Sequence, residues 1–309
     1  MARPDNDETL NGRVMATLDK AKMGKTQATA RALLDKLTDA EIGRLTARTQ
    51  LEILGHLHLP DTQRLPARDI MDAQSKLYRN MKLDPEFQAQ EEDRIKDVAT
   101  AIVAEPSIAD ARKKWGSLDE AERIKVMEKV VKIHSDKMGL TPASITPFLE
   151  EPEEEPNPDG GDPLLFIRHA SYDFATDTIE VNTHKYAALS NFNEALLTIL
   201  HENNHNHQLQ LISRLRNGQI DKSDKDYVQI ALFSLNYTRS GMVPSSGEDY
   251  QAYLRQPVED HAEWAAKQIT AQVHHRLQPK PPPGPSANDV DPDPPKADRR
   301  GPATPGFSI

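Results

Sequence analysis

Two histidines four residues apart are the strongest chemical signal in the sequence. His201 and His205 frame the segment HENNH. An α-helix turns by about 100° per residue, so these side chains lie about 40° apart on one face. Their imidazoles can therefore take two neighbouring corners of a tetrahedral zinc site. The apolar run LLTIL at 196–200 precedes them; it indicates a buried helix, in which histidines need partners.

Glu202 follows the first histidine directly. It lies about 100° around the helix from His201, beside a bound metal rather than against it. A carboxylate there can take a proton from a zinc-activated water as the hydroxide attacks a carbonyl, and can then pass it to a leaving amine. We predict Glu202 as a catalytic general base and Zn²⁺ as the cofactor.

A third ligand must be histidine, aspartate or glutamate, because the chain has no cysteine. Position 211 is leucine, which disfavours the metzincin spacing. The segment QPVEDHAEWAAKQI offers Glu259, Asp260, His261 and Glu263. Glu259 and Glu263 share a helix face, so with Glu259 on the metal, Glu263 could accept a hydrogen bond from a ligand histidine. The alternative is an ordinary acidic helix start, which the helix dipole favours.

Other polar residues near the motif have less defined roles. His207 points away from the ligand face, and we expect a solvent-facing histidine or one that supports a ligand. An oxyanion stabiliser should also exist. Its candidates are Tyr253, which we favour, and Tyr250, Tyr237, Arg239 and His184.

The pattern of apolar residues predicts an α+β fold that is mostly α-helical. Residues 1–148 form a helical N-terminal region, with Ser117 and Glu120 as a capping box and Gly139 as a helix end. Residues 149–163 are rich in glutamate, proline and glycine and are predicted as an exposed linker.

Residues 164–276 form the second predicted region. LLFIRHA at 164–170 and the alternating segment 178–182 are predicted as paired strands. The helix of the histidine motif begins after Ser190 or Asn191 and ends near Gly218, and a last helix runs to about residue 275. The proline-rich residues 277–309 are predicted as a disordered tail.

The net charge of −10 disfavours nucleic acid and anionic membranes as partners. No apolar stretch has the length of a membrane span or a signal peptide. We therefore expect a protein made in the cytoplasm, with signal-independent secretion left open.

The segments HENNHNHQ and YLRQPVEDHAEWAA resemble gluzincin-type HExxH zinc metallopeptidases. Within that group they are most similar to bacterial effector peptidases with a HExxHxxQ … QPxExxA pattern. The resemblance covers about residues 164–275 and implies a zincin-like catalytic domain with a small β-sheet. It implies His201, His205 and Glu259 as metal ligands, Glu202 as the base and Glu263 near the ligands, where such enzymes often carry aspartate. It also implies that strand 178–182 is an edge strand that pairs with substrate.

Three functional hypotheses follow. The first is a zinc-dependent metallopeptidase that hydrolyses a peptide or protein substrate, as a secreted bacterial effector. The second is a catalytically inert, metal-stabilised binding protein, and the third is a chain without metal. In an injected effector, the N-terminal helices would be candidates for binding a secretion system or a chaperone.

Overall fold

The computed structural model describes residues 5–21, 25–59, 64–155, 164–238, 241–244 and 250–278. They confirm an α+β fold that is mostly helical with a small sheet. Residues up to 277 belong to one compact unit, and the boundaries at 148 and 163 stay predictions. The predicted disordered tail lies, from residue 279 onward, outside the described residues.

Helices make up most of the chain before the sheet. They are α1 (Asp5–Asp19), α2 (Thr26–Lys36), α3 (Asp39–Ile42), α4 (Ala47–His58), α5 (Ala67–Tyr78), α6 (Pro85–Ala104), α7 (Pro106–Lys114) and α8 (Glu120–Met138). The predicted capping box at Ser117 is wrong by two residues. Asp119 and Glu122 form it instead, because Ser117 still belongs to a short 3-10 turn that ends α7. Gly139 ends α8 with a φ of 67°, as predicted.

The main sheet has the strand order β1-β5-β4, formed by β1 (Ser144–Phe148), β4 (Ala170–Asp173) and β5 (Thr178–Asn182). Strand β5 runs parallel to β1 and antiparallel to β4. The prediction that 178–182 is an edge strand is therefore wrong. Ile179 and Val181 are fully buried, and their strand is covered by a neighbour on both sides, which leaves β4 at one edge.

A two-stranded ribbon includes part of the predicted linker, whose residues 156–163 lie outside the described part of the chain. Strand β2 (Glu153–Glu155) pairs antiparallel with β3 (Leu164–Phe166). Glutamates can build this ladder because pairing uses backbone groups. The segment LLFIRHA therefore does not pair with β5 as a whole. Only its last residue, Ala170, belongs to β4, whose partner is β5.

The remaining helices are α9 (Phe192–Arg216), α10 (Tyr227–Asn236), α11 (Tyr250–Arg255) and α12 (Pro257–Arg276). Asn191 caps α9 by accepting from the amide of Glu194 at 3.0 Å. One apolar core joins α6–α8, the sheet, α9 and α12, and a second joins the first helices to α10 and α11. The N-terminal helices thus support the helices that border the site. Among the described residues, no helix is both long and apolar enough to span a membrane.

Candidate metal centre

Helices α9 and α12 bring three donor atoms together. The Nε2 atoms of His201 and His205 are 3.2 Å apart. Glu259 Oε2 lies 3.4 Å from His201 Nε2 and 3.8 Å from His205 Nε2. Zinc bonds of 2.0–2.2 Å give a tetrahedron with edges of roughly 3.3–3.6 Å. The two histidines and the carboxylate therefore fit a zinc ion, with one corner left for water or substrate.

The start of α12 holds the glutamate in place. Pro257 occupies the first helical position, and Asn236 accepts a hydrogen bond from the amide of Val258 at 3.2 Å. Glu259 is only 8 % exposed. Burial alone would raise its pKa, but His205 and His201, together with the Tyr253 hydroxyl, bring the pKa below its ordinary value. Glu259 is thus a carboxylate, the form that binds metal.

Glu202 lines the same cleft beside the donor atoms. Burial raises the pKa of Glu202 above its ordinary value, although His205 and His201 oppose this shift. A carboxylate with a raised pKa is a stronger base, as proton transfer from water requires.

Glu263 lies one turn beyond Glu259 on α12. Its Oε2 is 3.5 Å from His201 Nδ1, and its Oε1 is 2.6 Å from the ammonium of Lys267. The contact with His201, although burial opposes it, lowers the pKa of Glu263 to about 2. The structure brings Glu263 to the nitrogen that faces away from Glu259, and its supporting role stays a prediction.

The cleft has a volume of about 630 Å³ and runs between β4 and the helices. Tyr237 and Tyr253 line it. Tyr253 hydrogen-bonds Glu259, and burial raises the pKa of both tyrosines, so both keep their protons. Tyr250 is 53 % exposed and stacks on Tyr253, away from the lining. His184 contacts Glu151 at 3.0 Å and does not line the cleft.

Two further sequence predictions concern Arg239 and His207. Arg239, the remaining oxyanion candidate, lies outside the described residues. Of the two alternatives predicted for His207, the solvent-facing one is wrong, because the side chain is 1 % exposed; the supporting role stays a prediction. Helix α9 is covered on the face opposite the cleft as well, where it packs against other helices.

A second cluster surrounds His207. Glu91 on α6, His207 on α9 and His261 on α12 form another group with metal-ligand atoms close together. Glu91 Oε2 lies 3.6 Å from His261 Nε2 and 3.9 Å from His207 Nδ1. Arg94 donates to the other oxygen of Glu91. Sequence reasoning missed Glu91, since one glutamate in the charged helix EEDRIKD carries no distinguishing signal.

The asparagines of the motif serve packing rather than the cleft. All three are buried. Asn203 contacts the buried His134 on α8 at 2.6 Å, Asn204 donates to Leu200 O, and Asn206 donates to Thr141 O. Asn203 and Asn206 thus hold α9 against its neighbours, and Asn204 bonds within α9, which accounts for these poor helix formers in mid-helix.

Comparison with family models finds no matching family, and neither curated proteins nor solved structures give a match. The functional assignment therefore rests on the residues and their geometry.

Proposed function

We propose that the chain is a zinc-dependent metallopeptidase with a zincin-like catalytic centre. The observation that carries the proposal is the convergence of His201, His205 and Glu259 from two helices, with donor separations of 3.2–3.8 Å. Bound there, zinc would lower the pKa of a water molecule and polarise a carbonyl group.

Glu202 supplies the proton transfer in this proposal. It lies in the cleft next to the three side chains that would bind the metal. As a buried base it takes a proton from the attacking water and returns it to the amine that leaves. Tyr237 and Tyr253 are protonated hydroxyl groups on the cleft wall. Both are candidate donors to a developing oxyanion, since each hydroxyl lines the cleft; Tyr237 donates to Gln208 at 3.0 Å, and Tyr253 hydrogen-bonds Glu259 in the metal-free protein.

Edge strand β4 suits an extended peptide. Asn182 N–H donates to His169 O at 2.9 Å. Because hydrogen-bonded pairs alternate along an antiparallel ladder, the backbone N–H and C=O groups of Ser171 and Asp173 face β5, and those of Ala170 and Tyr172 point outward. Ala170 and Tyr172 also line the cleft. A peptide substrate can therefore add to this edge through backbone hydrogen bonds. Secretion, delivery as an effector and binding of a chaperone stay predictions from the sequence.

The test compares three zinc-loaded proteins on casein and on a fluorogenic peptide library. They are wild type, Glu202→Gln, and Glu194→Gln as the control from the exposed first turn of the same helix. We expect Glu202→Gln to lower the rate by about 10²- to 10⁴-fold at unchanged zinc content. Glu194→Gln should match wild type. Equal measurable rates for Glu202→Gln and wild type would contradict the role of Glu202 as the base. Zinc-loaded wild type inactive on every substrate would contradict the proposal and favour an inert metal-stabilised binding protein.

A further inference from the structure

Gln208 connects the cleft to the buried cluster. Its Nε2 donates to Val258 O at 2.7 Å and lies 2.9 Å from His261 Nδ1. Its Oε1 lies 3.1 Å from His205 Nδ1 and 3.0 Å from the Tyr237 hydroxyl. Gln208 is fully buried, so each of these contacts has to pair a donor with an acceptor.

Val258 fixes the orientation of the Gln208 amide. A backbone carbonyl can only accept, so the Gln208 atom that lies 2.7 Å from Val258 O is the nitrogen. The two hydrogens of that nitrogen then serve Val258 O and His261 Nδ1. His261 therefore accepts at Nδ1 and, as a neutral imidazole, carries its hydrogen on Nε2.

Glu91 favours the same proton position. His261 Nε2 faces Glu91 Oε2 at 3.6 Å, longer than an ordinary hydrogen bond but close enough for an electrostatic contact. Neither atom has a hydrogen-bond partner among the described residues, and both residues are 0 % exposed. An N–H group that points at a buried carboxylate is stabilised, whereas a bare nitrogen there would be repelled. A metal at this second cluster would require that bare nitrogen.

The side-chain oxygen of Gln208 contacts His205, one of the proposed metal ligands. This oxygen accepts from the Tyr237 hydroxyl and faces His205 Nδ1. The Tyr237 oxygen is also 3.1 Å from that nitrogen, and because its hydrogen goes to Gln208, two oxygen acceptors face Nδ1 and favour a hydrogen there. The tautomer with hydrogen on Nδ1 leaves Nε2 free. That Nε2 is the atom 3.2 Å from His201 Nε2 in the candidate metal centre.

We propose that Glu91, His261 and Gln208 are positioning residues that hold His205 in the tautomer whose Nε2 binds the metal. This inference rests on the proposed function only in that the cleft binds a metal. The buried cluster of Glu91, His207 and His261 then holds these polar contacts in place and is not a second metal site.

Nuclear magnetic resonance on the full chain, labelled with ¹⁵N histidine and loaded with ¹¹³Cd²⁺, tests the inference directly. We expect cadmium coupling to Nε2 of His201 and His205, a hydrogen on Nδ1 of His205, and a hydrogen on Nε2 of His261 without cadmium coupling. Cadmium bound by neither cleft histidine overturns the proposed function together with this inference. Cadmium bound by both, with His261 carrying its hydrogen on Nδ1 or coupled to cadmium, overturns the positioning role alone.

Zinc affinity, measured by competition with a chelator, gives a second readout. We expect Gln208→Met to weaken zinc binding by about 10- to 100-fold, as loss of a group behind a ligand does. Gln210→Met is the matched control. Gln210 is on the same helix and also makes hydrogen bonds, but to Thr141 and Asn206 rather than to the cleft. Equal zinc affinity of the two variants would contradict the inference. If Gln208→Met does not fold, the tautomers of the wild-type protein still decide.

Discussion

Two clusters of two histidines and one glutamate share helices α9 and α12, yet their surroundings differ. In the cleft, His201, His205 and Glu259 have donor atoms separated by 3.2–3.8 Å and open onto a space of about 630 Å³. In the interior, Glu91 and His261 are 0 % exposed, and Arg94 already neutralises the carboxylate. We therefore propose that the same residue types serve two purposes, and that the positions of protons and solvent decide between them.

Replacing one histidine from each cluster should give the largest difference in zinc content and in rate. His205→Asn removes a cleft donor, and we expect zinc content at background and a loss of roughly 10³-fold or more in rate, because the metal supplies several kcal/mol to the transition state. His207→Asn, two residues along the same helix, should keep one zinc per folded chain. Metal analysis of both purified proteins checks this. Loss of zinc from the His207 variant alone would reverse the roles of the two clusters.

Removing the buried carboxylate should also lower stability. Glu91→Ala leaves the N–H group of His261 buried without a facing anion, and we expect a loss of about 1–3 kcal/mol in the free energy of unfolding. The exposed neighbour Glu92 is the control, and Glu92→Ala should leave the unfolding midpoint nearly unchanged. Urea unfolding of the three proteins measures the effect. A Glu91 variant as stable as the control would mean that the interior cluster contributes little to folding.

Acid should destabilise the protein through buried histidines. Burial lowers the pKa of His134 to about 3 and that of His207 to about 4. Between the ordinary value of about 6.5 and these values, the unfolded chain binds protons that the folded chain does not. The free energy of unfolding should therefore fall as pH falls, by about 1.4 kcal/mol per pH unit for each histidine.

His201 should not contribute in this range. Burial lowers the pKa of His201, but Glu259 and Glu263 outweigh burial and raise this pKa to about 10 in the metal-free protein. His201 is therefore protonated in both the folded and the unfolded chain below pH 6. Denaturant unfolding of the metal-free protein between pH 6 and 5 checks the slope, and His134→Gln should remove about half of it. A slope that His134→Gln does not alter would contradict the contribution of His134.

Local signals in the sequence predicted the helix framework and the cleft residues well. Asn191 and Gly139 work as caps because capping depends on neighbouring residues alone. His201, Glu202 and His205 share a helix, so their spacing is visible in the chain. Glu259 could be named because Pro257 and the acidic turn mark the start of α12.

Long-range partners could not be read in this way. Strand β5 lies in the middle of the sheet because Ser144–Phe148 pairs with it from the other side, and nothing in residues 178–182 indicates that partner. Glu91 reaches His207 and His261 only through the packing of α6 against α12. Gln208 is one turn beyond His205 on α9, but its contacts with Val258 and His261 depend on where α12 begins.

An anomalous-difference map at the zinc absorption edge, from crystals of the zinc-loaded protein, tests the central claim most directly. We expect one peak between His201 Nε2, His205 Nε2 and Glu259 Oε2, and none between Glu91, His207 and His261. A zinc-loaded protein without the cleft peak, or with its zinc at the buried cluster, would contradict the assignment of the cleft as the metal centre.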